Sequence, residues 1–74
     1  MKQGQNLLDQ GNAEMAMVYF WKAGEDFEKI GELSMAAESF RKAGYCYELE
    51  GRMDEAEKEY ERAKSIDTRI RSEK

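Results

Sequence analysis

Apolar and small residues fall at Leu33, Ala36, Phe40, Ala43 and Tyr47, a 3-4-3-4 spacing that draws one stripe down one face of a helix. The flanking segments copy it, with Ala13, Ala16, Phe20, Ala23, Phe27 and Ile30 before, and Met53, Ala56, Tyr60, Ala63 and then Ile70 after. The copies recur at one constant interval. Gly11, Gly31 and Gly51 fall in phase, as do Ala16, Ala36 and Ala56, then Phe20, Phe40 and Tyr60, then Ala23, Ala43 and Ala63. A fixed internal period of this kind is the mark of a helical array whose neighbouring units bury one another's apolar faces. The pattern predicts helices near 13–30, 33–50 and 53–72. A truncated copy, Gly4-x-x-Leu7-x-x-x-Gly11, predicts the last turns of a short first helix at 3–10.

The ends of these helices carry their own signals. Gly11, Gly31 and Gly51 each follow a periodic run and sit where a left-handed residue ends a helix without a Cβ penalty. Asn12, Ser34 and Asp54 are the expected N-caps of the three long helices, and Asp54 followed by Glu57 resembles a capping box. Turns this short force successive helices to pack as antiparallel hairpins. Gly24 and Gly44 lie inside helices, where each costs about 1 kcal/mol relative to alanine. Their recurrence at one phase points to close helix approach. In the central helix Leu33, Ala36, Phe40, Ala43 and Tyr47 are expected to be the most buried row, with Met35, Cys46 and Leu49 as a second row against another layer.

Composition narrows the function. At 74 residues the chain holds one domain, 1–74, near the size at which a single core needs help from disulfides, metals or association. One cysteine and no histidine remove a disulfide within the chain and argue against zinc, which leaves association. The unpaired cysteine fits a reducing compartment, and no apolar run approaches the ~20 residues of a membrane span. The expectation is a soluble, cytoplasmic protein. Sixteen acidic against 12 basic side chains give a net charge of −4, which argues against a nucleic-acid partner. The segment from Arg62 to Lys74 is locally basic, with Lys64, Arg69 and Arg71, and reads first as a solvated helix end suited to the macrodipole.

A glycine, an alanine five residues on, an aromatic four beyond it and an alanine three beyond that form the second-helix signature of tetratricopeptide repeats. Gly11-Ala16-Phe20-Ala23, Gly31-Ala36-Phe40-Ala43 and Gly51-Ala56-Tyr60-Ala63 all match it. The first-helix signature is carried by Ala23-Gly24-Phe27 and Ala43-Gly44-Tyr47. The chain resembles the tetratricopeptide family from about Gly4 to Ala63, in the alternating form similar to soluble NSF attachment proteins. It departs from the pattern at Lys64, Asp67 and Arg71, and it lacks the usual proline. The resemblance implies an all-α fold, a short tetratricopeptide-like α-solenoid of stacked antiparallel hairpins. It also implies a non-enzymatic scaffold that binds proteins or peptides.

No catalytic, cofactor or metal site is expected. Cys46 has no histidine to activate it, and it reads as a buried small hydrophobe. Glu55, Glu57, Glu59 and Glu61 alternate around one helix and read as a solvated face. The exception to the repeat is the 13–30 helix, which bears Met17, Val18, Tyr19 and Trp21 where the later copies bear mostly polar residues. These four are the candidate interface, either for a second copy of the chain or for a partner, because an apolar patch with a tryptophan marks a contact surface. The same residues also allow packing under Leu7 and Leu8. Self-association into a homo-oligomer and partner binding form the leading expectation. The alternatives are a compact domain resembling microtubule-interacting-and-trafficking modules, which hold a partner helix, and a binder of nucleic acid or acidic surfaces through the basic C-terminal segment.

Overall fold

A computed structural model describes residues 11–72. Among them are three helices and no strand: α1 (Ala13–Lys29), α2 (Leu33–Leu49) and α3 (Met53–Ser72). The short helix expected at 3–10 lies outside the described residues.

The two connections are built alike. Gly31 and Gly51 have φ of 80° and 74°, and each closes a Schellman motif. After α1, the Gly31 N–H donates to the Glu28 carbonyl and the Glu32 N–H to the Phe27 carbonyl. After α2, the Gly51 N–H donates to Glu48 and the Arg52 N–H to Tyr47. The residue that finishes one helix also starts the next, because the carbonyls of Glu32 and Arg52 accept the first helical bonds, from Ala36 and Ala56. Asn12 caps α1 as expected, its Oδ1 accepting the Met15 N–H. Ser34 and Asp54 do not cap. The helices already begin at Leu33 and Met53, and the Glu32 N-cap makes no side-chain hydrogen bond. The preceding Schellman turn fixes the backbone there and leaves no slot for a separate capping residue. Asp54 instead sits in the first turn of α3, where its charge suits the helix dipole.

Helix α2 is the centre, packed antiparallel on α1 and on α3. At one end Leu33, Ala36, Ala37 and Phe40 meet Ala63 and Ile66, with Phe27 and Ile70 at the edge. At the other end Ala43 and Cys46 meet Ala16 and Phe20, flanked by Met17 and Tyr19. Ala56 is also buried, whereas Ala23, Phe27, Tyr47 and Tyr60 are half-buried. Tyr47 falls short of full burial because it lies in the last turn of α2, with the Arg52 guanidinium 5.5 Å from its ring. Of the expected second row only Cys46 is buried, and Met35 and Leu49 are exposed. Packing on both flanks instead selects Ala37, Ser39 and Gly44.

The interior glycines set the spacing between helices. A Cβ on Gly24 would lie 2.8 Å from the ring of Phe40, and one on Gly44 would lie 2.9 Å from the ring of Tyr60. Each glycine thus receives the in-phase aromatic of the helix that follows. The aromatics of the first two copies are each met in turn by the in-phase cation of the next helix. Lys42 Nζ stands 5.5 Å from the Phe20 centroid, and the Arg62 guanidinium 4.2 Å from that of Phe40. Such contacts contribute about 0.5–2 kcal/mol, more as they lose water.

Candidate interaction surface on the first helix

Val18, Trp21, Glu25 and Glu28 follow one another at steps of three and four, so they form one stripe along α1. The contacts of its two carboxylates show where that stripe faces. Glu25 accepts from Arg62 at 3.3 Å, and Glu28 accepts from Arg69 at 2.9 Å and lies 3.6 Å from Arg62. Both arginines belong to α3, which runs parallel to α1, so this stripe runs along the edge where α1 meets α3. These side chains are a third to a half exposed, and such pairs contribute about 0.2–1 kcal/mol each. The C-terminal half of the stripe is thereby occupied. The N-terminal half holds Val18 and Trp21, 53% and 38% exposed.

The four candidate interface residues separate into two pairs. Met17 and Tyr19 are half-buried and pack on the cluster around Ala16, Phe20, Ala43 and Cys46. The ring of Tyr19 meets that of Phe20 edge-on, 5.9 Å apart at 80°. Val18 and Trp21 point outward, and Met15 on the same helix is also exposed. A helix presents its successive residues about 100° apart, so four residues within five positions cannot share one face.

Two charged features lie outside the expected pattern. The first is the α1–α3 ion-pair ladder, which spends Arg62 and Arg69 of the basic segment on carboxylates within the fold. Arg41 of α2 likewise pairs with Asp67, at 3.0 Å. Its sequence signal is the row Lys22, Lys42 and Arg62, one basic residue per copy. The second is Glu59. It is only 9% exposed, so it does not belong to the solvated face formed by Glu57 and Glu61. Its in-phase mates Tyr19 and Ser39, half-buried and buried, carry the signal.

Chemistry at the remaining groups is restrained. Burial, then the charge of Glu50, pushes the Cys46 thiol up to about 11, which leaves it protonated and a poor nucleophile. Tyr60 donates its hydroxyl hydrogen to Glu48, and burial together with that bond pushes its pKa up to about 12. Among the described residues no group of three or more potential ligands is arranged to hold a metal ion. No helix among them is long and apolar enough to cross a membrane.

Comparison with known proteins bears on residues 42–69, which match a family model described as tetratricopeptide repeat. The span runs from the second half of α2 through most of α3, and the chain carries a tetratricopeptide-like helical repeat. Repeats of this family are in general non-enzymatic protein–protein interaction modules. No curated protein and no solved structure matches the chain.

Proposed function

We propose that residues 1–74 act as a single interaction module that associates with copies of itself and binds a partner protein or peptide through α1. The observation that carries this reading is the division of the α1 stripe. Its charged half is closed by Arg62 and Arg69, while Val18 and Trp21 in its other half stay exposed. Met17 and Tyr19 support that surface from beneath by anchoring α1 to the core. An exposed tryptophan beside aliphatic side chains is the composition of interface hot spots, where one aromatic supplies much of the binding free energy. A single unpaired thiol held protonated and buried suits a reducing compartment such as the cytoplasm.

Sedimentation velocity of the wild type and of Trp21→Glu, over low to high micromolar concentration, tests the self-association. The expected result is a concentration-dependent oligomer that Trp21→Glu converts to monomer with its helical circular dichroism intact. A wild type that remains monomeric throughout refutes it. Affinity capture from host extract with the same pair of proteins then tests the partner, whose retention should depend on Trp21.

A further inference from the structure

Glu59 lies on α3 one turn before Arg62, turned into the seam between the helices. No donor among the described residues reaches its Oε1, which is fully enclosed. The nearest cation is already committed, since Arg62 spends its guanidinium on Glu25, Glu28 and the face of Phe40. From α1 the charged group that bears on Glu59 is the carboxylate of Glu25, a like charge. None of the residues that α2 buries carries a charge, and the Ser39 hydroxyl donates to the Met35 carbonyl. The surroundings therefore suit a neutral carboxylic acid better than a carboxylate.

We propose that Glu59 makes the closure of α3 against α1 and α2 proton-dependent, sealing the seam when neutral and loosening the first half of α3 when ionised. Burial raises the pKa of Glu59 above its ordinary 4.5, Arg62 opposes the rise and Glu25 adds to it. The sign follows by linkage. A carboxyl with a folded-state pKa above the unfolded one stabilises the fold fully below pH ~4.5, and that contribution is lost as pH rises through the folded value. On ionisation the side chain gains more from reaching water than from staying enclosed.

The direct test is a ¹³C-detected carboxyl titration of Glu59 in the wild type, with amide exchange of residues 53–62 followed from pH 5 to pH 8. The expected results are a midpoint shifted above the ordinary carboxylate range and exchange in 53–62 that accelerates with pH beyond the intrinsic rate. Thermal melts of Glu59→Gln and Glu59→Met across the same range supply the second readout. Both variants should lose most of the wild-type decline with pH and melt above wild type at pH 8, while Glu57→Gln keeps the wild-type profile. Glu59→Met needs no hydrogen-bond partner, so it remains informative if the amide of Glu59→Gln is itself destabilising. Glu25→Gln should lower the Glu59 midpoint, because it removes the like charge and releases Arg62. An ordinary midpoint for Glu59, or Glu59 variants that track the wild-type pH profile, overturns the proposal.

Discussion

Substituting alanine for Gly24 sets two effects of opposite sign against each other. Removing glycine from a helix interior gains about 1 kcal/mol of intrinsic propensity. The new methyl carbon, however, would lie 2.8–2.9 Å from three carbons of the Phe40 ring. That ring has nowhere to go. It is fully buried, it packs with Ala37, Ala63 and Ile66, and the Arg62 guanidinium sits over it at 4.2 Å. Overpacking costs about 1–3 kcal/mol, and a ring enclosed on all sides puts this site in the upper part of that range, about 2–3 kcal/mol, so Gly24→Ala should lose about 1–2 kcal/mol net. Gly44→Ala provides the control, with nearly the same contact, 2.9–3.1 Å, to a ring that is half-exposed and lies at the edge of the fold. Tyr60 is tied through its hydroxyl to Glu48, an exposed side chain that can move with it, so the propensity gain roughly offsets the strain and the net change should be near zero. Urea denaturation followed by helical circular dichroism measures both, and each kcal/mol corresponds to about 4–8 °C in Tm for a domain of this size. In a Phe40→Leu background the penalty of Gly24→Ala should shrink, since the ring it strikes is gone. A Gly24→Ala protein as stable as wild type, or a Gly44→Ala protein that loses as much, would refute the close-approach account.

Two further outcomes follow from the packing. Ala43→Leu places a larger side chain on the buried row between α1 and α2, beside Phe20 and Cys46; it should unfold the protein or alter its association, and an unchanged melting temperature and oligomer size would count against the seam described above. Cys46, with its pKa near 11 against an ordinary 9.0, holds roughly 100-fold less thiolate than a free cysteine at mildly alkaline pH. Its reaction with a disulfide reagent should therefore wait on opening of the fold, and labelling at the rate of a free thiol in native buffer would contradict its burial.

The parts legible in the sequence are those where one physical requirement dominates. A glycine at the end of a periodic run allows only one sensible conformation, and Gly31 and Gly51 adopt it. Phe40 recurs in phase with Phe20 and Tyr60, and no helix face carrying it could avoid the core. Glu59 is not legible from residue type: four glutamates at alternate positions look solvated until Ser39, its in-phase mate, proves buried. The expected caps at Ser34 and Asp54 fail for a related reason. Capping preference describes an isolated helix start, whereas these starts are shared with a preceding helix end. The candidate surface reads as four residues because they adjoin along the chain, and the helical turn separates them into anchors and exposed groups.

The double role of Glu32 and Arg52 has a geometric consequence. Each belongs to two helices at once, donating its N–H backward and accepting at its carbonyl forward, so the corner between helices holds no slack. Two corners made from the same dihedral word must impose nearly the same rotation and translation on whatever follows. The direction of the array is then written locally, in a few backbone angles repeated once per helix, and inserting one residue at Glu32 would re-aim every side chain of the helices beyond it.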